Sequence, residues 1–469
     1  MNFTRTKIIC TIGPATQDIG SLRRLHKSGM NVARINMSHA THKSAKAVID
    51  KIHKINNDSK FNYGKIGILL DTQGPEIRTG DTELTIDLKV GDEVTLTVRD
   101  QVDVETSSIK INYKDLIKSV SEGSKISVDN GLINFKVLSK DEETLLCKVL
   151  DGGKLGSKRH VNLPGVRVNL PSITSKDLDD IEFGVKNNVD FIALSFVRDS
   201  EDLEKLQKIL DSKKSKAKII AKIENQEGLD NIHQISKASW GVMVARGDLG
   251  IETSLTDLPN IQRRIMHACA KWGRRSIVAT HLLESMIENP TPTRAEVTDI
   301  ANAIYEGADA IMLSGETSVG KYPIDCVKFL KSIALKTEKF KTLEYEKSFS
   351  PNSDWQHIGL AAKNLAESIK ADGIIAITRT GKTAQYISNS KPNGIPIFTF
   401  TGNKKTLSQL TLVGSTESFY LANLSNHEKT LENVSKILKK YYGRDGMKFI
   451  MVSSIFSEEH SEAIQIINI

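Results

Sequence analysis

Lys222 and Glu224 stand two residues apart in the run Lys218 to Glu224, whose apolar and β-branched residues read as a strand. Period two puts both side chains on one face, so an ammonium and a carboxylate emerge together at the strand's carboxyl end. Glu224 and Asp248, on what reads as the adjacent strand end, are hard oxygen ligands suited to a Mg²⁺ or Mn²⁺ ion that keeps waters and binds substrate oxygens. Arg34, Arg78 and Lys222 supply the positive charge that a phosphoryl group needs, and the Gly247-Asp248 turn offers backbone N–H groups to a carboxylate. Asn36, Ser38, Asp71 and Thr72 form an oxygen cluster with at most one negative charge, which suits a monovalent cation better than a second divalent one. Each feature alone has a plainer reading: a Lys/Glu pair two apart is more often a strand-end ion pair, and an Asp-Leu-Gly turn more often a helix cap.

Convergence separates the two readings, and it depends on the elements that carry these residues. Eight strand-like runs begin at Thr6, Asn31, Lys65, Asp190, Lys218, Gly241, Arg275 and Asp309. Successive starts differ by 25, 34, 125, 28, 23, 34 and 34 residues, and all but one interval fits a strand, a helix and two loops. Helical patterning fills the gaps, as in Leu22, Leu25 and Met30 after the cap candidate Ser21, or Ile261, Ile265 and Cys269 on one face. This is the pattern of a (β/α)8 TIM barrel in the α/β class, whose catalytic groups belong at the strands' carboxyl ends. Six of the eight ends are polar there: Arg34 to His39, Asp71 to Arg78, Lys222 to Asn225, Arg246 to Asp248, Thr280-His281 and Ser314 to Thr317. A barrel has little structural use for so many converging polar groups, so the set reads as functional.

The interval of 125 residues exceeds one unit by roughly 95, enough for a small inserted domain after the third strand. Between Thr79 and Arg167 the pattern changes to alternating strands, Leu84 to Leu88, Val94 to Val98 and Ile109 to Tyr113, with turns at Gly91-Asp92, Asn130-Gly131 and Gly152-Gly153. After the polar stretch Tyr345 to Asp354, helix and strand patterns resume at Trp355 to Ile369, Gly373 to Thr378, Pro396 to Phe400 and Lys448 to Val452. The expected division is a barrel over 1–75 and 168–343, an all-β insert over 76–167 and a C-terminal α/β domain over 344–469.

Composition narrows the class. The 469 residues are 39% hydrophobic and 26% charged, with 31 Gly and 11 Pro, which excludes collagenous and largely disordered chains. No membrane-length apolar run occurs and Met1 to Lys7 lacks an apolar signal region, so a cytoplasmic protein is expected. Cys10, Cys147, Cys269 and Cys326 form no C-x-x-C pair, which argues against a zinc knuckle or disulfide framework. The excess of 64 Lys and Arg over 57 Asp and Glu gives +7, but basic and aromatic residues are not interleaved, so no nucleic-acid partner is expected.

The runs Arg34-Ile-Asn-Met-Ser-His39, Leu70-Asp-Thr-Gln-Gly-Pro-Glu-Ile-Arg-Thr79, Asn162-Leu-Pro-Gly165, Ile220-Ala-Lys-Ile-Glu-Asn225, Met243-Val-Ala-Arg-Gly-Asp-Leu-Gly250, Ala279-Thr280, Leu283-Glu-Ser-Met286, Pro292-Thr-Arg-Ala-Glu-Val297 and Ile311-Met-Leu-Ser-Gly-Glu-Thr317 closely resemble those of the pyruvate kinase family. The resemblance runs in order from Thr6 to near Leu335 and continues more weakly beyond. It implies phosphoryl transfer from phosphoenolpyruvate to ADP, giving pyruvate and ATP, with Mg²⁺ (or Mn²⁺) and K⁺. It also implies roles: Lys222 stabilises the phosphoryl group and enolate, Arg34 binds phosphate, and Glu224 and Asp248 hold Mg²⁺. Asn36, Ser38, Asp71 and Thr72 hold K⁺; Gly247, Asp248 and Thr280 seat the substrate carboxylate; Thr280 lies near the protonation path; and Asn36, His39 and Arg78 meet the nucleotide. Family members that need K⁺ carry Glu at the position of Glu76, and those that do without it carry Lys.

Departures from the family pattern fall at Gln73, usually Lys; Asp199, where a basic residue is common; Ser44, often Tyr near the nucleotide; Trp240, commonly Asp; and His281, usually Gln. Trp240 and His281 are expected close to the site, as packing variants without a role. Thr378, Thr380, Gly381, Lys382 and Thr383 stand between a strand and a helix, where N–H groups cradle phosphate or the run serves as a plain Thr/Gly helix cap; in the family this is an effector loop, which makes a sugar phosphate the candidate regulator. It is not a Walker loop, because the required first Gly falls at Ala376. A homotetramer follows by analogy. The rival reading is a metal-dependent barrel lyase of the phosphoenolpyruvate/pyruvate group, which shares Lys222, Glu224 and Asp248 but has no need of the monovalent-cation cluster or the inserted β domain.

Overall fold

The computed structural model describes residues 3–58, 64–81, 85–99, 108–166, 168–422, 424, 427–453 and 463–469. Eight parallel strands close into a barrel: Lys7–Thr11, Val32–Asn36, Gly67–Asp71, Phe191–Leu194, Lys218–Ile223, Gly241–Ala245, Arg275–Ala279 and Ala310–Leu313. They are called the first to eighth strands below. Alternation divides each of them between two cores. On the fifth, Ala221 and Ile223 face the surrounding helices while Ile220 joins the barrel interior, so Lys222 also points inward. On the second strand Ala33 and Ile35 face outward and Val32 inward, which turns Arg34 and Asn36 to the interior. Parallel register then sets Asn36 against Asp71 and Lys222 against Met243, so neighbouring strands deliver their polar ends at one level.

The first helix, Ile19–Ser28, is capped by Asp18, whose Oδ1 accepts from Ser21 N at 2.9 Å. Ser21, the residue expected to cap, is the third residue of the helix and supplies the amide that the cap satisfies.

The insert leaves the barrel after the third strand as a seven-stranded sheet with a two-stranded companion, around a core that includes Leu96, Phe135, Leu145 and Cys147. Glu93–Thr97 and Ser108–Lys110 pair in parallel, and Ile86–Leu88 forms a strand, while Leu84 lies outside the described residues. Its entry and exit strands, Ile77–Arg78 and His160–Asn162, pair with each other, Val161 opposite Ile77 and His160 opposite Arg78. The insert, called the lid below, is therefore joined to the barrel through a two-stranded antiparallel ribbon at the edge of its own sheet.

The C-terminal domain is a five-stranded sheet in the order Thr416–Tyr420, Ile397–Thr401, Gly373–Ile377, Lys448–Ser453 and Ala463–Asn468, parallel except for the last. It closes the amino-terminal floor of the barrel. Trp240 sits there, against Phe191 at 5.4 Å between centroids and beneath the Arg275 guanidinium at 5.8 Å. The structure thus corrects the expectation that Trp240 lies near the site: it precedes the sixth strand and packs at the opposite end of the barrel.

Asp309 ties the two domains. Its carboxylate meets Lys391 Nζ from the C-terminal domain and Arg275 Nε at 3.9 Å, and accepts from Ser276 N at 2.9 Å. Burial acts to raise the Asp309 pKa, but the two cations outweigh it and hold the carboxyl below its usual value. A depressed carboxyl stabilises the fold above its unfolded pKa of about 3.9 and loses that contribution as pH falls through the folded value. Asp309→Asn is expected to cost about 3–5 kcal/mol at neutral pH by stranding buried cations. Thermal melts across pH should show the gap to the unaltered protein closing in acid.

All four cysteines are free and buried, and no helix among the described residues is long and apolar enough to cross a membrane.

Candidate active site

The barrel mouth is built on one buried ammonium. Lys222 Nζ lies 2.8 Å from Glu224 Oε1 and 3.1 Å from Asp71 Oδ1, and donates to Ser195 Oγ at 2.7 Å. Arg34 Nε donates to the other Asp71 oxygen at 2.6 Å and its Nη1 to Thr11 Oγ1 at 2.9 Å. Burial pushes the Lys222 pKa down, but the Asp71 and Glu224 carboxylates outweigh it and raise it above the usual lysine value. Burial likewise opposes ionisation of Asp71, and there Lys222 and Arg34 win and keep the carboxyl low. Asp71 is thus a shared counter-ion that fixes both cations.

Glu224 and Asp248 are in the opposite condition. Burial, opposed by Lys222 and aided by Asp248, pushes the Glu224 carboxyl up to about 7. Burial and nearby Glu76 and Asp71 raise Asp248, which hydrogen-bonds to Glu224. Phe196 N donates to Glu224 Oε2 at 2.7 Å from a backbone with φ of 53°, so the turn after the fourth strand aims that carboxylate. Two carboxylates in contact, Glu224 buried and Asp248 half-buried, both raised, form a hard oxygen pair with a deficit of positive charge, and this donor set fits a divalent cation.

On the far side of Asp248, Gly247 N donates to Thr280 Oγ1 at 3.0 Å. Thr280 and His281 both have positive φ, 68° and 53°, a strained conformation for a β-branched residue and its neighbour. Arg246 holds it. Its Nη2 donates to Thr280 O, its Nε to Ala279 O at 3.3 Å, and its Nη1 to both Asp299 oxygens at 2.8 Å. Exposed His281 lines the cleft beside Gly247 and Asp248.

A cavity of about 360 Å³ between mouth and lid is lined by Arg34, Asn36, Ser38, His39, Arg78, Lys222, Glu224 and Asp248, with Lys158, Arg159 and His160 on the lid side. Arg78 is oriented by Glu76 Oε2, 2.7 Å from its Nε, and by Lys158 O. Gln73 Nε2 reaches the same Glu76 oxygen at 2.8 Å. Of the four oxygen-cluster residues, Asn36 and Ser38 line the cavity, whereas Asp71 and Thr72 lie buried beneath it. Asn36 Oδ1 accepts from Ser38 N, Thr72 Oγ1 donates to Ala193 O, and Thr72 O accepts from Ser195 Oγ. Ser44 lines no part of this cavity and forms a capping box with Thr41.

Some strand-end polarity is bracing. Buried Glu316 accepts from Leu283 N at 3.1 Å and Ser314 N at 2.7 Å, tying the seventh and eighth strand loops, and Thr317 Oγ1 donates to Thr11 O. Conversely, Ser195 and Thr11 hold the site without having been singled out, and Arg246, named only as part of a polar strand end, braces it. Ser195 at the end of the fourth run was the available signal.

In the C-terminal domain Gly381, φ 84°, caps the helix Lys382–Asn389, and its N donates to Thr378 Oγ1 at 2.9 Å. Thr378, Thr380, Lys382 and Thr383 line a cavity of about 260 Å³ together with Arg379, Trp355 and Tyr386.

Known proteins with this layout share the chain's sequence along its length. The profile described as pyruvate kinase, barrel domain, matches residues 3–327, and that described as pyruvate kinase, alpha/beta domain, matches 356–467. The chain is 41% identical over 462 residues to plastidial pyruvate kinase 2 of Arabidopsis thaliana, covering 96% of this chain and 78% of the relative. It is 43% identical over 418 residues to pyruvate kinase of Staphylococcus epidermidis, covering 87% and 70%. A crystal structure of a pyruvate kinase from Cryptosporidium parvum superposes with a TM-score of 0.93 at 34% identity, over 99% of this chain and 96% of that one. Barrel, insert and C-terminal sheet are thus matched together, and the chain belongs to the pyruvate kinase family.

Proposed function

We propose that the family's reaction, transfer of the phosphoryl group of phosphoenolpyruvate to ADP, is carried by the Lys222 cluster in this chain. The observation behind this reading is that one ammonium touches Asp71, Glu224 and Ser195 at once, and so is held rigidly at the barrel mouth. Phosphoryl transfer needs positioning and charge neutralisation more than a covalent nucleophile. Arg34 binds the phosphate, and Lys222 neutralises charge that develops on the transferring group and on the enolate oxygen. The Gly247 and Asp248 amides with Thr280 seat the carboxylate, and Thr280 lies on the route by which the enolate carbon is protonated. Asn36, His39 and Arg78 meet the nucleotide, and the lid swings on its ribbon to exclude water.

Glu224 and Asp248 would hold Mg²⁺ or Mn²⁺, which when bound supplies a Lewis acid beside the substrate oxygens. Asn36, Ser38, Asp71 and Thr72 would hold K⁺, with Glu76 as the mark of a K⁺-dependent enzyme. Rates in K⁺ should exceed those in tetramethylammonium, and Glu76→Lys should erase the difference; an unaltered difference would refute the role given to Glu76.

The reading extends to a cytosolic homotetramer whose Thr378–Thr383 loop takes a sugar phosphate. Free, buried thiols fit a reducing compartment. The deciding assay follows pyruvate released from phosphoenolpyruvate with and without ADP and Mg²⁺. Release that ignores ADP would overturn the kinase assignment and favour a lyase.

A further inference from the structure

Thr280 and His281 share the left-handed backbone that Arg246 braces, and the strain has a visible result: both side chains turn to one face of Gly247. The position that a Cβ would take on Gly247 lies 3.7 Å from Thr280 Oγ1 and 3.8 Å from His281 Cε1. The imidazole is therefore in van der Waals reach of the turn to which the substrate carboxylate is assigned. It lines a cleft of about 710 Å³ that runs from that turn to Lys125 and Asn130 of the lid. A residue that only fills space would be buried. His281 is exposed, and among the described residues its ring has no hydrogen bond, ion pair or stacking partner.

The donors around it are less free. Gly247 N is engaged by Thr280 Oγ1 at 3.0 Å, and the Thr280 hydroxyl in turn donates to Ala279 O at 2.7 Å. A carboxylate arriving there must exchange those bonds for its own, which reduces the net gain from each. His281 gives up no protein partner. Neutral or charged, an imidazole carries at least one N–H, and a hydrogen bond from it to a carboxylate is charge-assisted. Strain kept at two successive residues, beside a binding turn, marks side chains held in place for use.

We propose that His281 is a further substrate-binding residue, whose imidazole N–H donates to the carboxylate of phosphoenolpyruvate seated at Gly247, Asp248 and Thr280. The inference rests on the phosphoenolpyruvate reading given above, and it replaces the expectation that His281 is a packing variant. The carboxylate keeps its charge throughout phosphoryl transfer, so the bond is made alike to the substrate and to the transition state. It therefore tightens binding without speeding the chemical step.

Two measurements on the full-length protein test this: steady-state kinetics with Mg²⁺, giving kcat and the KM values for phosphoenolpyruvate and ADP, and calorimetric titration of phosphoenolpyruvate with Mg²⁺ in the absence of ADP. His281→Ala should weaken phosphoenolpyruvate roughly tenfold, in KM and Kd alike, as expected for one hydrogen bond to a charged group. The loss should spare kcat and the KM for ADP, each staying within about twofold. His281→Gly removes the ring and also frees the positive φ, so it controls for strain and should lose as much as the alanine variant. His281→Gln restores an N–H donor and should recover most of the affinity. Normal affinity in His281→Gly, unchanged affinity in His281→Ala, a loss that falls on kcat, or a glutamine variant as weak as alanine would each overturn the proposal. Unaltered protein that binds phosphoenolpyruvate but forms no ATP would remove the kinase reading alone, and the calorimetric comparison would still decide the role of His281.

Discussion

A Lys222→Met variant is expected to bind phosphoenolpyruvate with near-normal affinity and to turn it over roughly 10³–10⁵-fold more slowly, the range seen when a cation that acts in the transition state is removed. Arg34 remains to hold the phosphate in the ground state, whereas the charge that builds up during transfer loses its neutralising partner. The side chain is nearly isosteric, so the loss should fall on kcat rather than KM. A cost in stability accompanies it. Asp71 Oδ1 and Glu224 Oε1 each lose an ion pair in a buried site, and Asp71, held low by Lys222 and Arg34 against the penalty of burial, keeps only Arg34. A melt should therefore show a lowered midpoint in a protein that still binds substrate by calorimetry. Loss of substrate binding equal to the loss of rate would give Lys222 a ground-state role instead.

Glu224→Gln should fail differently. Removing one carboxylate of the pair weakens divalent-cation binding by about 100-fold or more, since even supporting residues of metal sites are worth 10–100-fold. Raising Mg²⁺ should restore much of the activity, whereas no Mg²⁺ concentration should rescue Lys222→Met. The folded protein itself should tolerate the change, because burial already disfavours the charged form of Glu224 and the amide still accepts from Phe196 N. Activity titrated against Mg²⁺ in both variants separates the two roles in one experiment, and a Glu224→Gln enzyme with unaltered Mg²⁺ dependence would remove that residue from the cation site.

How much of this could be read beforehand depended on whether the decisive neighbour was local. Lys222 and Glu224 were placed on one inward face by strand periodicity alone, and eight runs, regularly spaced but for the one long interval that holds the insert, were enough for the barrel. Partners that come from distant segments left no such mark. Arg246 reads as one more charge at the mouth, yet it turns to Asp299, 53 residues on, and braces the strained Thr280 backbone. Glu316 similarly looks catalytic and serves two loop amides. Trp240 was misplaced because five strand residues separate it from Arg246, and at about 3.3 Å each they carry it across the barrel. Thr416–Tyr420 and Ala463–Asn468 were missed as strands because both are edges of the C-terminal sheet with partly exposed faces, so neither shows the unbroken apolar run of a central parallel strand.

The ribbon on which the lid hangs also bears on how the chain assembles. The third and fourth barrel strands are hydrogen-bonded neighbours although about 120 residues lie between them. Were that segment slack, bringing the two strands together would cost about 2 kcal/mol more entropy than closing a loop of ten residues. The lid has its own core, and pairing of Ile77–Arg78 with His160–Asn162 brings its two ends side by side. A lid that folds first therefore presents the barrel with a short connection in place of a long one. Slow closure of the barrel would then be the mark of a lid whose core had been damaged, even with every barrel residue intact.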